Sequence, residues 1–461
     1  MGRIVVEIIR DIMVQDIFEL PGPEGKALVG NLLDLSQDPL GFLTHCAREY
    51  GDIVPMRLGL TPTCLVTHPD LIEEILKDRD SFIKSRGFRA LRTLLGEGLL
   101  TSEGESWFRQ RRLVQPVFHQ KLIASYATVM VEYAERMLTT WQDGETRNIH
   151  ADMMRLTLNI VMKCLFNQDI DEGNAQAIAH ALDVAMNWFE SKRQQNFLIW
   201  EWFPRPENIR YRNAISQMDT TIYSIIEQRR TSGEDPRDLL SMLMQARDED
   251  DGTGMSDRQL RDEVATLMLA GHETTANALT WTWMLLAQHP QVLAKLQTEL
   301  QEVLNGRSPT VADIPQLRYT DMIVKESMRL YPPVAIFGRE AAVDCQIGDY
   351  NVPKGCTIMI SQWVMHRNPR YFADPEIFKP ERWADDLEKQ LPRGVYIPFG
   401  DGPRICIGKG FALMEAILLL ATVAQKFHLN LLPVPIVPQP SITLRPEHGI
   451  KVVLELNASG K

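Results

Sequence analysis

The residues best able to do chemistry gather around one thiol. Cys406 closes a glycine-rich loop, YIPFGDGPRICIG, in the pattern Phe399-x-x-Gly402-x-Arg404-x-Cys406-x-Gly408, and an apolar run follows at once. Gly400 and Gly402 give the loop access to positive φ, and Pro403 stiffens its approach to the cysteine. The apolar run reads as a helix, so the amides of Ile407, Gly408 and Lys409 would lack intrahelical partners. Free N–H groups at a positive helix end stabilise a thiolate, and a thiolate is the form that binds iron. Gly408 and Gly410 leave no side chain where a flat macrocycle would press on the backbone. A lone cysteine is more often a small buried hydrophobe. The fixed Phe, Gly, Arg and Gly around this one make the pattern far more specific.

A second group interrupts an apolar helix. Ala270-Gly271-His272-Glu273-Thr274-Thr275 sits inside VATLMLAGHETTANAL. Gly271 costs such a helix ~1 kcal/mol relative to Ala. Glu273 and two threonines cost more if buried without partners. A purely structural helix would avoid them. Their physical use is a local opening of the hydrogen-bond ladder that holds a water, with a carboxyl and a hydroxyl to relay protons. His272 reads as a side chain pointing away and hydrogen-bonded, and Thr275 as structural.

Charged residues form three further sets. Trp107 and Arg111, four apart, share a helix face; they form either a solvated basic face or donors for carboxylates. Glu326 and Arg329, three apart in DMIVKESMRLYPP, can pair in a buried setting. Arg382, in Pro380-Glu381-Arg382-Trp383, adds a second guanidinium from a loop. Arg339 reads as a strand-edge residue, and His366 as either a carboxylate donor or a turn-stabilising side chain.

Taken together and in this order, Trp107-x-x-x-Arg111, Ala270–Thr275, Glu326-x-x-Arg329, Pro380–Trp383 and Phe399–Gly408 resemble the motifs of the cytochrome P450 family, over nearly the whole chain. Only Trp383 departs from the pattern, where the family more often has Phe. The resemblance implies haem b with Cys406 as axial iron ligand, Phe399 packed near the sulfur and Gly408 leaving room for the ring. It implies haem propionate contacts from Trp107, Arg111, Arg339 and Arg404. It makes Glu273 the acid and Thr274 its alcohol partner, with Ala270 and Gly271 facing haem and dioxygen. Glu326, Arg329 and Arg382 become a fold-locking triad, and Val334, Ile336 and Phe337 a pocket wall for a lipophilic substrate: fatty acid, terpenoid or carotenoid.

The activity implied is a monooxygenase. Its electrons would come from a separate ferredoxin or flavodoxin with its reductase, so NAD(P)H acts only indirectly. Lys389, Arg393 and Lys409 offer a basic patch for an acidic donor. A haem-thiolate isomerase or peroxygenase would dispense with the acid–alcohol pair, and a haem-binding sensor would need no redox partner.

Long elements must hold these groups in place. Ser256 to Gln288 is the longest helical run; Ser256 with Gln259 makes a capping box, and Pro290 follows its end. At 1.5 Å per residue it would span roughly 50 Å. Helical periodicity dominates from 105 to 330. Strands are expected at Ile53–Leu58, Thr63–Thr67, 343–360 and 441–456, and helices at Asp38–Tyr50 and Asp70–Lys77. The fold class is mainly α with a minor β portion. The resemblance makes it the P450 fold, an α-rich lobe around haem and a small β-rich lobe, in a single domain over 1–461.

Composition is that of a globular protein, 44% hydrophobic and 24% charged, and a net charge of −11 argues against nucleic-acid binding. The six cysteines show no CxxC spacing, which fits a reducing compartment. The N-terminal GRIVVEIIRDIMVQDIFELPGP is too broken by charges for a membrane span and reads as an amphipathic helix that packs on the body or touches a membrane surface. Aromatic residues Trp188, Phe189, Phe197, Trp200, Trp202 and Phe203 read as a lid over an apolar cavity or as ordinary packing. A cytoplasmic monomer without a transmembrane anchor is expected.

Overall fold

Prolines and capping side chains set where the helices begin. The computed structural model describes residues 15–168, 178, 180–189, 205–233, 238–247 and 252–457. The amphipathic segment up to Val14, and Phe197, Trp200, Trp202 and Phe203, lie outside the described residues. Pro39 and Pro69 open helices Pro39–Tyr50 and Pro69–Lys77 at positions where a missing N–H costs nothing. Ser256 caps the long helix as expected: its Oγ accepts from Gln259 N at 3.3 Å, and its own N–H reaches Gln259 Oε1 at 2.9 Å.

Two compact units divide the chain. One takes the described residues up to Ala90 together with Val334–Ile377 and Glu388–Cys406. Its centre is a five-stranded sheet: β1 (Ile53–Leu58), β2 (Thr61–Val66), β3 (Phe82–Lys84), β4 (Ile336–Ala341) and β5 (Thr357–Ser361), in the order β1-β2-β5-β4-β3. β2 and β5 run parallel and the other neighbours antiparallel. Leu43, Cys46, Val54, Leu65, Met359 and Val364 make the core between sheet and helix Pro39–Tyr50.

The other unit takes Leu91–Pro333, Phe378–Leu387 and the chain from Ile407 on. Six of its helices matter here: α1 (Gly104–Val114), α2 (Ile149–Phe166), α3 (Pro206–Ser232), α4 (Asp257–Gln288), α5 (Arg318–Leu330) and α6 (Lys409–Lys426). α4 packs against α2, α3, α5 and α6, and every residue from Leu260 to Leu286 except three is buried. A helix apolar on nearly all faces belongs in the middle of a bundle. The hairpin of Pro438–Pro440 and Leu444–Pro446 carries Thr443 and Arg445 to the side of α4, where Trp281 Nε1 donates to Leu444 O at 3.0 Å. Among the described residues no helix is long and apolar enough to cross a membrane.

Candidate active site

The thiol loop belongs to the first unit. Gly400 and Gly402 take φ of +70° and +71°. A side chain at Gly402 would put its Cβ 2.2 Å from Leu76 O, so helix Pro69–Lys77 and the left-handed backbone both demand glycine there. Gly402–Arg404 form one 3₁₀ turn, and Cys406 N–H closes the loop on Phe399 O at 2.9 Å. That bond fixes the two residues the sequence pairs. The loop is braced from behind by buried His366, whose Nε2 accepts from Ile397 N–H at 3.1 Å; its turn-stabilising reading is the one the structure supports. None of the six cysteines is in a disulfide, and Cys406 is the one exposed.

In the second unit, α4 is open at three positions within its buried stretch: Ala270 is exposed, and Gly271 and Thr274 are half-buried. Residues 270 and 274 stand one turn apart, so this is a small flat patch on an otherwise covered rod. Thr274 Oγ1 donates to Ala270 O at 2.8 Å, and Thr157 Oγ1 of α2 donates to His272 O at 2.9 Å. The expected break in the helix does not occur. α4 runs unbroken from Asp257 to Gln288, and hydroxyls bond to its carbonyls without displacing a turn. A Cβ at Gly271 would meet Val161 Cγ2 at 3.0 Å, so its lack of a side chain serves the close approach of α2, and the patch is formed chiefly by Ala270 and Thr274.

Glu273 is buried beside the patch, not in it. Its Oε1 accepts from Arg445 Nε at 2.7 Å and from the Thr443 hydroxyl. Burial alone would raise its pKa. The Arg445 charge and hydrogen bond, with help from Thr443 and His272, hold it below the ordinary carboxylate range. Arg445 Nη1 also reaches Asp183 Oδ1 at 3.4 Å. Behind Thr443, Asn277 Nδ2 donates to Thr443 Oγ1 at 3.2 Å, and His150 Nε2 lies 3.1 Å from Asn277 Oδ1. Sequence reasoning missed Thr443 and Arg445. The available signal was the strand period of two, which puts 443 and 445 on one side of an otherwise apolar stretch. His272 is buried with Nδ1 donating to Met268 O at 2.9 Å.

The Glu326 set is assembled as anticipated. Arg329 Nε and Nη2 reach its two oxygens at 2.8 and 2.9 Å, Arg382 Nε at 2.8 Å and Lys379 N–H at 2.9 Å. Trp383 Nε1 donates to Oε2 at 2.9 Å, a bond that Phe could not make. Trp107 is buried and Arg111 half-buried on α1. Arg339 lies on β4 with its guanidinium 5.5 Å from the Phe337 ring. Strand alternation puts Phe337 and Arg339 on one face and Ile336 on the other, where Ile336 packs against the Leu43–Met359 core. Ile336 is half-buried there, on the opposite face of the strand from Phe337; Val334 precedes the strand, half-buried. Trp188, from the aromatic stretch, packs internally: it stacks on Tyr211 at 4.0 Å and donates to Asn208 Oδ1 at 2.8 Å.

The family model for Cytochrome P450 matches residues 20–454. The chain belongs to the cytochrome P450 family. Curated P450 relatives span it almost end to end. It is 37% identical to a cyclooctat-9-en-7-ol 5-monooxygenase of Streptomyces melanosporofaciens, over 90% of this chain and 89% of that one. It is 36% identical to a cyclooctatin synthase of the same organism, over 92% of each, and 34% identical to a pentalenene oxygenase of Streptomyces avermitilis, over 89% and 91%. The protein is thus a P450 monooxygenase with the mainly α, minor β fold of its family. The family's cofactor is haem with a thiolate ligand, and the residues present suit that group. One exposed thiol is held in a glycine-rigidified loop, and the core helix presents a shallow patch of small side chains.

Proposed function

We propose that this P450 oxidises a lipophilic, terpenoid-type substrate and that Cys406 is its axial iron ligand. Phe399, whose carbonyl accepts from the Cys406 N–H, is then the ring packed near the sulfur, and Trp107, Arg111, Arg339 and Arg404 are the cations and N–H groups for the haem carboxylates, with Gly408 leaving room for the ring. Haem bound there supplies the dioxygen-splitting redox chemistry. The chain's own residues bind, orient and move protons: Glu273 is the acid, Thr274 the hydroxyl at the open patch, and Ala270 the small neighbour that leaves space for a reactant. Glu326, Arg329 and Arg382 are structural.

The observation that carries the reading is the exposed Cys406 thiol, alone among six cysteines, in a loop whose positive φ values favour glycine at two positions. The terpenoid class rests on the names of the relatives and on the apolar residues Val334 and Phe337. Electrons come from a separate ferredoxin or flavodoxin with its reductase, served by NAD(P)H; exposed Lys389 and Arg393 suit an acidic donor. Cytoplasmic location and a monomeric state complete the proposal.

The test begins with the reduced, carbon monoxide-treated protein, which should show a thiolate-type absorption band that Cys406→Ser abolishes. A panel of cyclic terpenoids, fatty acids and carotenoids is then screened for displacement of the iron-bound water, followed by product analysis. A band that survives Cys406→Ser overturns the ligand assignment. Products formed from fatty acids or carotenoids with none from terpenoids overturn the substrate class.

A further inference from the structure

Two leucines stand at turn tips, where Gly, Pro, Asn, Asp and Ser are the usual residues. Leu28 and Leu60 are 80% and 82% exposed, the most exposed large apolar side chains among the described residues. Apolar side chains scattered singly over a surface mean little, but these two are neighbours. Leu60 follows Gly59 in the two-residue turn that joins β1 to β2, where Leu58 pairs with Thr61 and Gly59 takes φ of +63°. The chain at 26–30 makes a second turn alongside. Lys26 bridges Gly30, Gly30 bridges Leu58, and Gly59 N–H donates to Val29 O at 2.9 Å. One residue further along that antiparallel register, Leu28 comes level with Leu60.

Leu28 holds its place at a cost. Its φ is +66°, the left-handed region that Gly and Asn enter readily and leucine does not. Nor would water-facing backbone be stranded if the tip left water. Lys26 N–H donates to Gly30 O at 3.0 Å, Gly30 N–H to Lys26 O at 2.8 Å and Val29 N–H to Ala27 O at 2.8 Å. Below the tips, half-buried Val29, Leu32 and Leu58 extend the apolar surface, and exposed Lys26 and Arg57 flank it.

We propose that the paired Leu28 and Leu60 tips are a peripheral membrane contact, set into the headgroup boundary of an anionic bilayer with Lys26 and Arg57 against the lipid phosphates. The shape selects a bilayer over a protein. Two convex turn tips need a matching socket on a protein, whereas a fluid interface moulds around them. Apolar area and nearby cations are the two terms that hold a protein at such an interface. Exposed Glu24 and the net charge of −11 oppose an anionic surface, so the contact is reversible and depends on these few residues.

Haem-loaded, full-length protein is floated with vesicles of phosphatidylcholine alone and of phosphatidylcholine and phosphatidylglycerol in equal parts. The parent should bind the mixed vesicles several-fold better than the neutral ones, and lose that preference as salt is raised. Leu28→Ser and Leu60→Ser should each weaken partition by roughly ten-fold, the scale of one partly buried leucine, and the double variant should lose more than either. Lys26→Glu should abolish the preference for anionic lipid. Haem content and the carbon monoxide band should stay at the parent's level throughout.

Leu28→Asn separates a membrane role from a packing role. Asn tolerates the left-handed backbone, so this variant should bind vesicles as poorly as Leu28→Ser while unfolding no earlier than the parent. A lowered unfolding midpoint would make Leu28 a packing residue and overturn the proposal. Parent-like flotation of the double Leu28→Ser/Leu60→Ser variant also overturns it, since the membrane affinity then lies elsewhere in the chain. So does a parent that binds neither vesicle but self-associates through these leucines, because the tip is then a contact between copies.

Discussion

Glu326 and Glu273 are both buried carboxylates paired with arginine in the same unit, and they are held in opposite ways. Glu326 is saturated. Two guanidiniums, an indole N–H and a backbone amide converge on its two oxygens from α5 and from residues 379–383. Glu273, among the described residues, accepts from Arg445 and Thr443 on one oxygen, and the arginine is divided with a solvent-facing aspartate. Saturation from several elements makes a lock, because moving any one donor strands charge in the interior. A single shared donor makes a joint that can open. Glu415 on α6 extends the series to its end. It is fully buried, and neither carboxylate oxygen has a hydrogen-bond partner among the described residues.

The largest effect expected from breaking this contrast is at the lock. Glu326→Ala strands the two buried guanidiniums and should cost about 3–5 kcal/mol, seen as loss of haem incorporation and a collapsed denaturation midpoint. Full haem content in that variant would end the distinction. Trp383→Phe removes one donor and leaves the others, so a loss of about 1.5–3 kcal/mol in chemical denaturation is expected, with haem retained. No loss would mean the indole bond is redundant.

Glu415 should respond with the opposite sign. Burial raises its pKa well above the ordinary carboxylate value, so the folded state keeps a proton that the unfolded chain gives up. Stability is then full below the unfolded pKa and declines as pH rises toward the folded one, by about 1.4 kcal/mol per pH unit for one proton. Glu415→Gln should flatten that decline and raise the midpoint on the alkaline side. An equal decline in both proteins would mean the carboxyl finds a partner in solution.

How much of this was legible in the sequence depends on how far apart the partners lie. The Cys406 loop, its positive-φ glycines and the Ser256–Gln259 cap are local, and residue type with spacing was enough. Glu326 with Arg329 is local too, but the donor role of Trp383 was not, since the family pattern only asks for an aromatic there. Arg445 and Thr443 are about 170 positions from Glu273, and no periodicity in α4 points to them. Ile336 and Phe337 looked alike as apolar neighbours until the pairing of β4 fixed which face each takes. The neighbour of Gly271 was hidden for a related reason: it is Val161, on another helix. Chemistry carried by one short segment was readable, and chemistry assembled by packing was not.

The smallest effect belongs to an ion pair outside the interior. Arg230 near the end of α3 meets Asp257, the first residue of α4, with side chains 41% and 55% exposed. The arginine hydrogen bond lowers the Asp257 pKa, and the carboxylate also sits favourably at a helix N-terminus. Water screens both charges, so Arg230→Gln should cost only about 0.2–1 kcal/mol, less at high salt, with turnover unchanged. Measured in one salt titration beside Trp383→Phe, it separates what a buried donor contributes from what an exposed charge does. The buried loss should be insensitive to salt and the exposed one should fade. If both fade together, water reaches the Glu326 cluster, and the difference between lock and joint is one of degree.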